Sequence, residues 1–382
     1  MGLALGAQIA AILPVFLLGG LFPLLRDDLG VAVSSLGVAV ATFFGASAAG
    51  SAGFARLSDA AGPWPVTRGA LLVVGAACCA TALGQSYTVL VAAMAVAGAA
   101  NGCVHPASNV AISGYVPHRR QGFAFGLKQS SVPLATMIGG LAVPVIGLTV
   151  GWRWAFVLAG GIALAMALIL PRDPGARTGL TPHGTAEAIL PMRLLLMLGV
   201  MSGLGAGSAN AMAAFLVASV EDLGHSVAAA GVLMAAGSLA SVLVRLLLGI
   251  AADRWPLPLL GTVAAMLFGG ALGYAALAVA TGWTMIVLGT LFAFAMGWSW
   301  AGLSLLAVVR ANPGGAGRAT GIMQSGLFIG AVAGPAGFGA TAGAFGYPVA
   351  WVGLFVAGCA AAVAALLCAR SMRRRARGVR AV

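Results

Sequence analysis

Twelve apolar runs follow one another between residues 3 and 369, each long enough to cross a bilayer as a helix and separated only by short polar or Gly/Pro-rich breaks. They cover 3–25, 33–54, 66–84, 88–114, 121–147, 152–171, 192–217, 226–250, 257–280, 283–309, 317–342 and 347–369. In hydrocarbon every backbone N–H and C=O must find an internal partner, which leaves helices or closed barrels. The alternating pattern of barrel strands at a spacing of about ten residues is absent. The predicted fold class is therefore an all-α membrane protein with twelve transmembrane helices. Composition agrees, since 61% of the 382 residues are apolar, 7% are charged and the mean hydropathy is +1.04, whereas a soluble chain is about a quarter charged.

A net charge of +12 would point to nucleic acid in a soluble protein, but membrane topology accounts for it here. With both termini in the cytoplasm, sixteen arginines fall in cytoplasmic loops or the tail, and only Arg26 and Arg153 fall outside. This is the asymmetry of the positive-inside rule. The expected location is the cell inner (cytoplasmic) membrane, multi-pass, both termini cytoplasmic, with no nucleic-acid partner. The first run has full span length and no basic leader, which predicts an uncleaved anchor. Cys78, Cys79, Cys103, Cys359 and Cys368 lack metal-ligand spacing and read as small packing residues. No metal or other cofactor is expected.

The chain repeats itself. A shift of 194 carries "DLGVAVSSLGV" (28–38) onto "DLGHSVAAAGV" (222–232) and Asp59 onto Asp253. A shift of 195 carries "GFAFGLKQSS" (122–131) onto "GRATGIMQSG" (317–326), pairing Gln129 with Gln324, and Gly102 onto Gly297. Parallel repeats that rock about a central site are a transporter architecture. The predicted domains are an N-terminal six-helix bundle (1–171), a cytoplasmic linker (172–191), a C-terminal six-helix bundle (192–370) and a basic cytoplasmic tail (371–382). The 57 glycines let helix backbones approach closely where no hydrophobic effect drives association.

The loops after the second and eighth runs resemble the signature loop of the major facilitator superfamily, G-x-x-x-D-R-x-G followed by basic residues. "GIAADRWP" keeps Gly249, Asp253 and Arg254. "ARLSDAAGPWPVTR" keeps Asp59 and Gly62 but has Ala55, Ala60, Pro63 and Trp64 where glycine and basic residues are usual. The resemblance implies that these five residues form a gate that latches the cytoplasmic side. The competing reading is that Asp59 and Asp253 are solvated loop charges.

Ionisable residues inside a span cost about 2.5–3.5 kcal/mol each on insertion scales and as a rule face a cavity. All eight acids fall in loops or at helix ends, so the membrane core is positive only. Lys128, the only lysine, lies about eight residues from the Arg119–Arg120 loop, roughly 12 Å deep at 1.5 Å per residue. Arg245 lies eight residues before Asp253, at a matching depth. By the superfamily resemblance, the fifth and eighth helices line one chamber, which puts both cations on one substrate. Two cations without a buried carboxylate predict a mobile anion. Snorkelling of the lysine stem is the alternative.

"RLLLGIAAD" resembles the eighth helix of monocarboxylate and oxalate carriers, where an arginine at this distance before the loop binds substrate carboxylate. "GLKQSSVP" resembles a segment of the cyanate-permease-like branch. Asn101, His105 and Asn109 share one face of the fourth helix, and Pro106 should kink it. His105 either carries a coupling proton or is a hydrogen-bonded packing residue. Gln129 and Gln324 are expected to face the cavity, and Gln8 and Asn210 are further candidates.

These readings predict a secondary active transporter for a small, carboxylate-like organic anion, proton-coupled or working by exchange. The expected partners are a small anionic substrate, protons and membrane lipid, and the chain is expected to be a monomer. Proton-coupled multidrug efflux is the alternative. Against it, the fourth helix lacks a buried arginine, and Ala135 and Thr136 stand where the G-P of the antiporter signature G-P-x-x-G-G would be. A sugar carrier would need more buried amides. An enzyme would need a convergent constellation, whereas His105, His118, His183 and His225 are scattered.

Overall fold

The computed structural model describes residues 2–115, 123, 126–127, 129–171, 190–311 and 316–380, and at 52–61, 63, 105–115, 316–318 and 375–380 the backbone alone. Lys128 and residues 172–189 lie outside the described residues. The described regular structure is helical: α1 (Gly2–Leu29), α2 (Val33–Ala61), α3 (Pro63–Leu83), α4 (Tyr87–Tyr115), α5 (Ser131–Ala142), α6 (Trp152–Ile169), α7 (Met192–Asp222), α8 (Val227–Arg254), α9 (Leu259–Ala278), α10 (Trp283–Ala295), α11 (Ala301–Ala311), α12 (Ala316–Phe345) and α13 (Tyr347–Arg380). Among the described residues, ten helices are long and apolar enough to cross a membrane. The protein is thus a multi-pass membrane protein, as its apolar runs predict.

Two runs differ from their sequence reading. The fifth run is described as α5 from Ser131 and continues into one π-helical turn, Val143–Gly147, which contains Pro144. The tenth run, expected as one helix over 283–309, is two, because Met296–Trp300 turns between α10 and α11. Gly297 weakens the helix there, and α9 presses on it. A Cβ on Gly270 would lie 2.2 Å from the Gly297 Cα.

The repeat seen in the sequence reappears in the backbone. Among the described residues, five glycines have positive φ, a region that costs residues with a Cβ. Gly30 (φ 62°) after α1 and Gly224 (φ 83°) after α7 are 194 positions apart. Gly151 (φ 100°) before α6 and Gly346 (φ 85°) before α13 are 195 apart. The fifth, Gly62 (φ 87°), alone joins α2 to α3. Its repeat position in the second half is Pro256, so this turn is where the halves diverge.

Glycines also set the helix seams. Gly199, Gly203 and Gly207 of α7 face Gly326, Gly330 and Gly334 of α12. A Cβ on Gly330 would lie 1.8 Å from the Gly203 carbonyl oxygen, so here backbone meets backbone. Between the sequence halves, α5 packs on α8, α2 on α12 and α1 on α7. Cβ atoms on Gly140 and Gly231 would each lie within 2.7 Å of the other's carbonyl oxygen, and one on Gly37 would lie 2.5 Å from that of Pro335. Gly37 and Pro335 are the repeat positions of Gly231 and Gly140, so the α2–α12 and α5–α8 seams are symmetry mates.

The apolar core follows the same division. One cluster joins residues of both halves, among them Phe16, Phe43, Phe215, Phe294, Trp298 and Trp351. A second cluster, around Leu198, Leu267, Trp300 and Leu303, is built only from residue 190 onward.

Candidate functional site

Proline and a helix break create the site. Pro133 has no N–H, so the carbonyl of Gln129, four residues earlier, has no helical donor. The turn at Met296–Trp300 likewise takes the Trp298 carbonyl out of the helical ladder. Arg245, on α8 between them, satisfies both. Its Nη1 donates to the Gln129 oxygen and its Nη2 to the Trp298 oxygen. One guanidinium thereby ties residue 129 of the first half to α8 and to the turn between α10 and α11 of the second.

Arg245 is 4% exposed, and its Nε has no hydrogen-bond partner among the described residues. Among those residues no carboxylate forms a salt bridge with it. A buried charge held only by neutral dipoles is expensive unless a counter-charge arrives.

Around Arg245 the walls are small and the polar groups few. Ser241, one helical turn away, is buried with Ser299. The Ser299 hydroxyl donates to the Ser241 carbonyl at 3.1 Å, and the two hydroxyl oxygens are 3.0 Å apart. A cavity of about 10 Å³ is lined by Arg245, Ser299, Gly126, Gly249, Gly302 and three leucines. On the other side of Trp298, its ring meets Phe16 of α1 edge-on at 5.8 Å and Phe294 of α10 at 5.4 Å.

Asp253 sits eight residues further along α8, about 12 Å away. Its Oδ2 accepts the Phe123 N–H at 3.0 Å, and Arg310 of α11 approaches Oδ1 at 4.0 Å. Gly126, between Phe123 and Gln129 in sequence, rests on α8 itself. A Cβ there would lie 3.0 Å from the Arg245 carbonyl oxygen. Three residues of the first half therefore contact α8 on one stretch. At the far end of α1, Arg26 pairs with Asp27 (3.1 Å) and with Glu221 of α7 (3.0 Å). Arg153 pairs with Asp28 at 2.7 Å, and the Trp152 indole N–H donates to the same oxygen of Asp28 at 3.2 Å.

The structure thus brings together Arg245, Gly249, Asp253 and the backbone of Gln129. The Gln129 and Gln324 side chains are half-buried. Arg254 is exposed at the end of α8. Asn101 donates to the Ser47 hydroxyl of α2 at 2.9 Å, and its Oδ1 has no partner among the described residues. The side chains of His105, Asn109 and Asp59 lie outside the described residues, as does Lys128 altogether. Gln8 is buried with neither amide atom partnered among the described residues, and Asn210 donates to the Ala206 carbonyl at 2.8 Å.

Sequence reading alone missed the Trp298 carbonyl, Ser241, Ser299, Arg310 and the Arg26–Glu221 pair. For the Gln129 carbonyl a signal existed, namely Pro133 four residues on.

The sequence pattern of the Major Facilitator Superfamily matches residues 4–335 and again 195–381. A chloramphenicol resistance protein of Streptomyces lividans is 30% identical over 268 residues, covering 67% of each chain. The probable sulfoacetate transporter SauU of Cupriavidus necator is 31% identical over 147 residues, 38% of this chain and 34% of that one. The fold is similar to that of a bacterial homolog of the human lysosomal transporter Spinster in an inward-facing, unoccupied conformation, with TM-score 0.76 and 16% identity over 97% of each chain. It is also similar to the human organic anion transporter MFSD10, with TM-score 0.65 and 16% identity over 95% of this chain and 98% of that one. With a helical membrane fold, a sequence repeat and the superfamily pattern running across both halves, the chain belongs to the Major Facilitator Superfamily and is a transporter, not an enzyme.

Proposed function

We propose that the protein is a secondary active transporter moving a small, carboxylate-like organic anion across the cytoplasmic membrane by alternating access. The observation that carries the reading is Arg245, a guanidinium buried at the contact between the halves with no ion-pair partner among the described residues. A delocalised anion suits its fork of donors. The similarity to a probable sulfoacetate transporter, whose name specifies an organic anion, supports the same class.

In this reading twelve spans form two six-helix bundles, 1–171 and 192–370, joined by the linker 172–191. The tenth span is α10 and α11 together, and the fifth ends in α5. Both termini and the tail 371–382 are cytoplasmic, and the working unit is a monomer in contact with membrane lipid. Lys128 supplies the second cation, and Gln129, Gln324, Asn101, His105 and Asn109 line the chamber, with a proton on His105 or anion exchange balancing the charge. Asp59, Gly62, Gly249, Asp253 and Arg254 serve the cytoplasmic gate. The Phe123 N–H on Asp253 is a contact of the kind such a gate needs.

Drug efflux is the second reading, favoured by the 67% coverage of the chloramphenicol resistance protein. The two separate by ligand-induced thermal shift on purified protein, because a ligand that binds the folded state raises its melting point. Small mono- and dicarboxylates raising it, with the effect lost in Arg245→Gln, is the expected result. A rise with chloramphenicol or lipophilic cations and none with anions would overturn the anion reading.

A further inference from the structure

Among the described residues, the cavity that Arg245 borders has no room for an anion. Its two terminal nitrogens are engaged by the carbonyls of Gln129 and Trp298, and only Nε is without a partner among the described residues. The cavity it borders measures about 10 Å³, space for about one water molecule and too little for a carboxylate group. One wall is Gly126, where a Cβ would lie 3.0 Å from the Arg245 carbonyl oxygen. For a carboxylate to reach the guanidinium, Gly126 and Gln129 must move off α8. That movement takes the Gln129 oxygen away from Nη1.

We infer that the substrate carboxylate and the Gln129 carbonyl are alternative occupants of Arg245, so that anion binding itself releases α8 from Gly126 and Gln129. Ser299, the polar side chain on the cavity wall beside Arg245, completes the seat with its hydroxyl. This rests on the anion reading of Arg245 given above.

Either occupant satisfies the guanidinium. Without substrate, the two carbonyls that Pro133 and the Met296–Trp300 turn leave without helical donors are satisfied, and the charge is not left bare. With substrate, a carboxylate offers two charged acceptors to the planar fork, adding bidentate geometry and ion-pair attraction that a neutral carbonyl lacks. A ligand shifts a conformational equilibrium by its difference in affinity for the two states. A closed form too small to admit the anion makes that difference large.

The test uses the full chain with the five native cysteines replaced by alanine, and spin labels on cysteines at Phe123 and Trp255, both exposed and on opposite sides of the contact. Acetate, lactate and oxalate are titrated while the inter-label distance and the melting point are followed. The expected result is that any anion raising the melting point also lengthens the 123–255 distance. Ser299→Ala should need about tenfold more anion for the same change, a difference of about 1.4 kcal/mol. Arg245→Lys, whose ammonium lacks the fork, should populate the longer distance without anion. An anion that raises the melting point while the distance stays fixed would overturn the inference and leave the anion reading standing. If no anion changes either quantity, both fall.

Discussion

Arg26 and Glu221 stand 195 positions apart in the chain and 3.0 Å apart in the structure. The other acid on Arg26, Asp27 at 3.1 Å, is the repeat position of Glu221 under the shift of 194. One guanidinium thus sits between two symmetry-related carboxylates, one from each half. Together with the Phe123–Asp253 contact, this means that the halves are tied at both ends of the molecule.

Glu221→Gln should weaken the tie at the Arg26 end. The pair is partly solvated, so the loss of stability should be about 1 kcal/mol or less, while the inter-half distance at that end, read by spin labels, lengthens. The charge swap Arg26→Glu with Glu221→Arg should bring the short distance back. Failure of the swap to do so would mean that the pair is not a tie.

Pro133→Ala gives residue 133 an N–H that can serve the Gln129 carbonyl within the helix. Arg245 then loses a competitor to the substrate. Anion affinity, measured by titration calorimetry, should rise about three- to tenfold, equivalent to one ordinary hydrogen bond of about 0.5–1.5 kcal/mol. Unchanged or weaker binding would count against the Gln129 carbonyl as the competing group.

Lys128→Gln should abolish anion-dependent stabilisation, whereas Lys128→Arg keeps the charge and should retain part of it. Normal transport of the anion by the Gln variant, assayed in proteoliposomes, would remove Lys128 from the site.

Gly330→Ala should lower the melting point markedly, because its Cβ would fall 1.8 Å from the Gly203 oxygen and overpacking of this kind costs about 1–3 kcal/mol. Gly337→Ala, seven residues along the same helix and with nothing within 4 Å of its Cβ among the described residues, should be neutral or stabilising by up to about 1 kcal/mol. Equal effects at both positions would contradict the described α7–α12 seam.

Much of this was legible in the sequence because membrane helices obey local rules. Apolar length gives the spans, and Arg245 is conspicuous because hydrocarbon leaves charge little reason to be there. Asp253 was legible through its loop, although its partner, the Phe123 N–H, was not. The break at Met296–Trp300 was hidden because no proline marks it. It exists through contact with α9 and through Arg245's use of the Trp298 carbonyl, both of which depend on packing between distant segments. Gln129 was singled out for its amide, yet the atom the structure uses is its carbonyl, exposed by Pro133. Glu221 reads as an ordinary loop acid until α1 brings Arg26 beside it.

The seam of Gly199, Gly203 and Gly207 against Gly326, Gly330 and Gly334 has a mechanical consequence. Where two helices touch through bare backbone, the contact is close-packed with no side chains between them to rearrange. The pair α7–α12 should therefore move as one unit. In the exchange proposed above, the give in the molecule comes instead from the joint built around Arg245, which carries side chains and polar bonds that a solute would undo.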